Sequence, residues 1–314
     1  MAKRIFSNPH LENSKRGLWD VLLWKCGYYK DPFRRESPPI DFMYPASPPP
    51  FELDLPWALW IGHSTFLIEV DGITLLTDPV WDNYCSPFPW PSLKRKTATP
   101  ISLSDLPKID LVLISHNHYD HLNARTIHEL NAFHPQIQWI VPTGLAEWFH
   151  KRGITRVREF HWWESYREGH FTITAVPSQH FSGRSFWDQN QTLWNGYVFE
   201  TKSKRLYFTG DTGYNQIDFK AIGAQWPFMD LSLIPIGAYA PRRFMEPIHV
   251  SPLESVEIHK DVGSRLSIGM HWKTFTLADE PIDQPPYDLY LAMKKKELPF
   301  ETFLPVEPGT YVNW

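Results

Sequence analysis

Apolar and polar positions divide this chain into short runs with two periods. Residues 57–61, 65–70 and 73–77 are apolar or alternating stretches of strand length. Asp71-Gly72 lies between the second and third, a pair that suits the positive φ angles of a two-residue hairpin turn. Residues 111–115, 171–176, 207–208 and 266–270 read as further buried strands. Apolar spacing predicts helices near 124–133, 144–152, 215–225, 252–262 and 287–296. The clearest helix start is Ser251-Pro252-Leu253-Glu254, a capping box with proline at the first helical position; Gly263 suits the C-terminal cap.

Two runs of strands, each followed by alternating helices and strands, predict an α/β fold with two sheets face to face and helices outside. Residues 56–314 read as one domain and 1–55 as an N-terminal arm, with a short amphipathic helix around 18–24. Residues 80–107 form a proline-rich loop of a length usually tied to function.

Composition narrows the function. The 314 residues carry 31 Lys+Arg against 35 Asp+Glu, a net charge of −4 with no basic block, which argues against a nucleic-acid partner. Cys26 and Cys85 are the two cysteines and form no paired motif, so a reducing cytoplasm is expected. No apolar stretch approaches the roughly 20 residues of a membrane span. Met1-Ala2-Lys3-Arg4 is basic, but no signal-peptide core follows it. The 29 prolines and 15 tryptophans mark stiff loops with aromatic residues beside them rather than disorder.

The chemistry is concentrated in His116-Asn117-His118-Tyr119-Asp120-His121, directly after the 111–115 run. Three imidazoles and a carboxylate on so short a loop exceed what one ion readily takes, which suggests two ions side by side. His180, Asp211 and His271 each follow a presumed strand, where α/β folds place their sites. The glycines of Gly210-Asp211-Thr212-Gly213 allow close backbone approach there. A structural zinc site would favour cysteine ligands; this set has none and includes carboxylates.

The HxHxDH pattern with those three residues resembles the metallo-β-lactamase superfamily. Trp60-Ile61-Gly62-His63-Ser64-Thr65, Pro177-Ser178-Gln179-His180, Gly210-Asp211-Thr212-Gly213-Tyr214, Ile234-Pro235-Ile236-Gly237-Ala238-Tyr239 and His271-Trp272 resemble its N-acylphosphatidylethanolamine-hydrolysing phospholipase D family, over about 57–280. The resemblance implies a four-layer αβ/βα sandwich with two Zn2+ ions, iron or manganese being the alternatives. It implies that His116, His118 and His180 hold one ion, that Asp120, His121 and His271 hold the other, and that Asp211 bridges both. A hydroxide between the ions would attack a phosphodiester, with Asp120 orienting it, and release N-acylethanolamine and phosphatidic acid. The runner-up is a hydrolase of a small soluble lactone or cyclic phosphodiester. A di-iron redox protein, usually with an acidic residue where His118 stands and an added flavin domain, is disfavoured.

Further roles follow from the same resemblance and from position. His63 and Asp78 would support ligands from behind; a core histidine and a turn residue are the plainer readings. His249 would sit at the phosphate and donate to it or protonate the leaving group. Tyr119, Tyr239 and Trp272 would line the substrate pocket, and Lys273, where the family tends to have glycine, would put a cation near it. Ile248 stands where the mammalian enzyme has glutamine, and the arm matches poorly. In the arm, Leu18, Trp19, Leu22, Leu23, Trp24, Tyr28 and Tyr29 could meet a membrane surface peripherally, with Lys15, Arg16, Lys25 and Lys30 toward anionic headgroups. The preferred reading packs these residues on the sandwich or on a second subunit, as in a homodimer.

Overall fold

The computed structural model of the chain describes residues 5–11, 18–31, 36–185 and 187–314. Met1 to Arg4, Lys15, Arg16 and the side chain of Leu18, named above for the arm, lie outside them.

Helix α1 (Leu18–Lys25) precedes the first sheet. Strands β1 (Trp57–Gly62), β2 (Thr65–Val70) and β3 (Ile73–Thr77) form an antiparallel meander, and β4 (Leu111–Leu113), β5 (Gln138–Pro142) and β6 (Val157–Phe160) extend it in parallel. Helices α2 (Ala124–Phe133) and α3 (Ala146–His150) make the crossovers. Asp71 at φ 50° and Gly72 at φ 77° form the tight turn between β2 and β3, with both residues left-handed, as that hairpin type requires.

The second sheet repeats this plan. Strands β7 (Ser165–Glu168), β8 (Phe171–Pro177), β9 (Asn195–Glu200) and β10 (Arg205–Phe208) are antiparallel; β11 (Met229–Pro235), β12 (Ser264–Met270) and β13 (Phe303–Leu304) follow in parallel. Helices α4 (Gln216–Gln225), α5 (Arg242–Met245), α6 (Pro252–Asp261) and α7 (Pro285–Lys295) lie along this half. Strand β14 (Tyr311–Asn313) then returns to the first sheet and pairs with β1, Ala58 opposite Val312. Each sheet thus has seven strands, and the two are flanked by helices in the four-layer sandwich.

Core packing explains why β1 reads as an unbroken apolar run. Ala58 and Trp60 share a cluster with Ile173, Tyr197 and Phe199 of the other sheet, while Leu59 and Ile61 meet Ile127, Leu130 and Phe149 of α2 and α3. A strand covered on both faces has no polar side to alternate. Burying each such side chain contributes about 1.5–3 kcal/mol.

Expected and observed elements differ where polar groups intervene. The run at 111–115 leaves the ladder after Leu113, because the Ser115 backbone N–H turns to the Asp78 carboxylate. The expected 144–152 helix shortens to α3 between Gly144 (φ 91°) and Gly153 (φ 75°). Helix α5 is an addition. The capping box at Ser251 and Glu254 is present, and Arg242 binds both Glu254 oxygens at 3.0 and 2.8 Å. The 80–107 loop folds around Arg95, whose guanidinium donates to the Val80 and Asp82 carbonyls.

The described parts of the arm lie on the sandwich. Trp24 stacks on Phe244 at 4.9 Å and donates Nε1–H to Asp279, and Leu23 and Tyr29 join the same cluster. The other side of α1 leaves Trp19 and Leu22 exposed. Phe42 packs edge-on against Tyr287, and the Tyr44 hydroxyl donates to the Phe303 carbonyl. Among the described residues, no helix is long and apolar enough to cross a membrane.

One buried histidine outside the site couples the fold to pH. His259 of α6 stacks on Phe303 and shares a 2.8 Å hydrogen bond with the Ser267 hydroxyl, and burial pushes it down from 6.5 to about 4. The unfolded chain therefore takes up its proton first as pH falls. Stability from this group is intact above about 6.5 and is lost toward pH 4, by up to about 3 kcal/mol. Denaturant unfolding of His259→Gln across this range is expected to show a shallower acid limb than the parent chain; identical limbs would refute the assignment.

Candidate metal centre

The site is built from loops at strand ends. His116 to His121 follow β4, His180 follows β8, Asp211 follows β10 and His271 follows β12. Asp78, after β3, fixes the first of these loops at both ends. It accepts the Ser115 N–H at 2.7 Å, the Ser115 hydroxyl at 2.5 Å and the His121 Nδ1–H at 2.7 Å. Gly210 sets the next ligand against this loop. It sits at φ 60°, and a Cβ there would stand 2.7 Å from the Ser115 Cβ and 2.9 Å from the Asn195 carbonyl.

Hydrogen bonds on the outer ring nitrogens decide which nitrogens face inward as lone pairs. His121 spends Nδ1–H on Asp78, and His180 spends Nδ1–H on the Ile248 carbonyl at 2.8 Å. The Ser115 hydroxyl gives its hydrogen to Asp78, so it accepts the His116 Nδ1–H at 2.8 Å. The Nε2 atoms of all three are left for a cation.

These inward atoms fall into overlapping groups, two of which stand on either side of Asp211. His116 Nε2 lies 2.8 Å from His118 Nδ1, and His180 Nε2 lies 3.3 Å from the same atom. Asp120, His121 and His271, with His63, make the second group. Asp211 Oδ2 lies between them, 3.1 Å from His121 Nε2, 3.0 Å from His271 Nε2 and 3.8 Å from His180 Nε2.

The donor set fits divalent metal. His121 Nε2, His271 Nε2 and Asp211 Oδ1 are buried without a hydrogen bond. Buried polar atoms left so cost about 1–3 kcal/mol each, and a shared cation satisfies them together. Imidazole and carboxylate donors without thiolate suit a borderline divalent ion.

The local electrostatics agree. Burial and the neighbouring imidazoles hold His116 well below its ordinary range, His118 near 3 and His180 near 4, so these rings are neutral. Burial alone would raise Asp120 and Asp211, but His121 and its neighbours hold both well below the usual carboxylate range. Burial opposes charge on His271 too, yet Asp211 and Asp120 outweigh it and push that ring up to about 9. His121 is raised by the same two carboxylates. Without metal, protons occupy the positions where the carboxylates favour positive charge.

The other sequence-nominated residues differ in how their polar atoms are engaged. His63 places Nε2 2.9 Å from Asp120 Oδ2, and its ring lies 4.0 Å from that of His271. Burial, then His271, push it down to about 3, so it is a neutral donor to Asp120. Burial lifts Asp78, and the bonds it accepts oppose that lift. His249 lies 5.0 Å ring to ring from His180, with Nδ1 buried, unbonded and 4.0 Å from Asp211 Oδ2. Tyr119 lies on the metal loop itself. The polar atoms of Tyr239, Trp272 and Lys273 are engaged elsewhere, on Asp288, on the Gly269 carbonyl, and on Glu307 with Asp283.

Sequence reasoning missed three contributors. Ser115 adjoins the motif and could have been found as its nearest hydroxyl. Phe181 covers the His118 ring at 4.4 Å, and its place after His180 was a signal. Asn8 donates Nδ2–H to the His180 carbonyl at 2.8 Å from 172 positions away, for which the sequence carries no signal.

A family model, the beta-lactamase superfamily domain, matches residues 74–272. The chain is 39% identical over 264 residues to N-acyl-phosphatidylethanolamine-hydrolyzing phospholipase D 1 of Caenorhabditis elegans, covering 81% of this chain and 74% of that one. It is 33% identical over 232 residues to the mitochondrial N-acyl-phosphatidylethanolamine-hydrolyzing phospholipase D of Saccharomyces cerevisiae, covering 72% of this chain and 49% of the yeast protein. The fold is similar to Igni18, a metallo hydrolase of Ignicoccus hospitalis, with TM-score 0.62, 20% identity, and coverage of 82% of this chain and 98% of that one. With its donor atoms at the strand ends of a two-sheet sandwich, the chain belongs to the metallo-β-lactamase superfamily, as a metal-dependent hydrolase of the branch that includes the N-acyl-phosphatidylethanolamine-hydrolysing phospholipases D.

Proposed function

We propose that this chain is a two-zinc phosphodiesterase that hydrolyses N-acylphosphatidylethanolamine to N-acylethanolamine and phosphatidic acid. The observation that carries the two-ion chemistry is the pair of donor groups joined by Asp211. The similarity to the worm and yeast phospholipases supports the lipid. His116, His118 and His180 would hold one ion, Asp120, His121 and His271 the other, and Asp211 both. Bound there, the ions supply Lewis acidity and make a water acidic enough to lose a proton near neutral pH.

The chain's own residues then supply position and hydrogen bonds. Asp120, fixed by His63, orients the attacking water toward phosphorus. His249 has its backbone carbonyl held by Arg242 at 2.9 Å, which steadies the ring beside Asp211. Burial keeps this imidazole neutral, so it offers one N–H to a phosphoryl oxygen or to the departing alkoxide. Phe181 over His118 excludes bulk water from that side. Water and the phosphodiester give an alcohol and a phosphate monoester, with the proton passing to the alkoxide oxygen.

Zinc-loaded protein is expected to cleave N-acylphosphatidylethanolamine in mixed micelles, and Asp211→Asn to show no cleavage. Bis(p-nitrophenyl) phosphate and a simple lactone run beside it identify the alternative. Turnover of only the soluble esters would keep the hydrolase and discard the lipid. His249→Ala is expected to lower kcat by about 10²-fold with zinc content unchanged. An unaltered kcat would remove His249 from the reaction.

A further inference from the structure

The metal loop packs donor groups of like polarity into a few residues, so something must hold its backbone from outside. Asp78 grips its inner side. The outer side is held by one side chain that the chemistry does not use. Arg184 donates Nη1–H to the Asn117 carbonyl at 2.9 Å and to the Leu122 carbonyl at 2.6 Å, and its guanidinium lies 3.8 Å over the Tyr119 ring. The two carbonyls flank His118, Asp120 and His121. The contact is returned: the Asn117 side-chain oxygen accepts the Gly183 N–H at 2.7 Å, and the Tyr119 hydroxyl donates to the Arg184 carbonyl at 3.3 Å. The Asp188 carboxylate fixes the Arg184 backbone by accepting its N–H at 3.0 Å and that of Ser185 at 2.7 Å.

We propose that Arg184 is a positioning residue for metal, clamping the 116–122 loop in its binding shape and tying it to the loop that carries His180. The clamp lies four positions beyond His180, so it fixes the third imidazole of one donor group relative to the other two. It spans both ends of the segment bearing Asp120 and His121, so it also holds the second group. Both carbonyl bonds come from Nη1 while the guanidinium plane lies on the Tyr119 ring; the ammonium of lysine keeps the charge but sits on a shorter side chain without that plane, so it cannot reproduce the stack. Tyr119 then serves as the platform for the clamp.

The inference rests on the metal reading of the site and not on the lipid. It is tested with the full chain and Co(II) alone, by chelator competition, the visible d–d spectrum, and melting curves with and without the ion. Arg184→Lys is expected to weaken Co(II) binding about 10- to 100-fold and to shift the spectrum. Its melting temperature should fall more in the loaded protein than in the metal-free one. A residue that merely supports the fold would lower both alike and leave affinity untouched. Tyr119→Leu keeps the guanidinium bonds and removes both the stack and the hydroxyl bond to the Arg184 carbonyl, with an expected loss of about 2- to 5-fold, whereas Tyr119→Phe removes the hydroxyl bond alone and is expected to bind as the parent does. Tyr119→Leu decides the matter if Arg184→Lys does not fold. Parent affinity and spectrum in folded Arg184→Lys and Tyr119→Leu would overturn the clamp while leaving the metal centre intact. A parent chain that binds no Co(II) would overturn the metal reading, and the clamp with it.

Discussion

Asp78 is the constraint on which the rest of the structure depends. It is fully buried at the end of β3, and it has accepted the backbone and hydroxyl of Ser115 and the ring of His121 before any ligand arrives. Moving this carboxylate would release both ends of the metal loop. The strands around it explain why it stays in place. The parallel pairing of β3 with β4 brings Thr77 opposite Leu113, and the Asp78 N–H donates to the Leu113 carbonyl at 2.9 Å, which sets the carboxylate beside Ser115. Burial of this carboxylate is offset by the three bonds it accepts from Ser115 and His121.

The two halves of the sandwich share the work unequally. The first sheet contributes a single loop with several candidate donors, whereas the second contributes one candidate donor from each of three strand ends. Asp211 comes from the second half, yet its carboxylate oxygen contacts imidazoles from both. The centre is therefore also the joint between the halves, and cation binding there is coupled to how the sheets are held together.

Legibility in the sequence followed the range of the interactions. The β1 to β3 meander, its Asp71-Gly72 turn and the capping box at Ser251 are local, and each was readable from neighbouring residues. The metal-binding residue types were readable because three histidines and an aspartate in one loop have few other uses. Polar aromatic residues were less readable. Trp272 follows a ligand directly, but it stacks on Trp60 in the core. The Lys273 ammonium pairs with Glu307 and Asp283, partners that no local pattern marks. Both turn on the backbone path after His271, where His271 and Lys273 each adopt positive φ, and that path is set by tertiary packing. Asn8 and Arg184 act across long sequence separations through backbone carbonyls, which any residue could supply, so no pattern marks them.

Two contacts bear on the order in which the molecule can be made. Asn8 binds the carbonyl of His180, which is synthesised 172 positions later. Strand β1 is synthesised early, but its open edge is covered only by Tyr311–Asn313. A nascent chain therefore carries an unpaired strand edge and scattered ligands through most of translation. The candidate donors run from His116 to His271 and β1 waits for Tyr311–Asn313, so the centre and its sheet close only after those segments have been made.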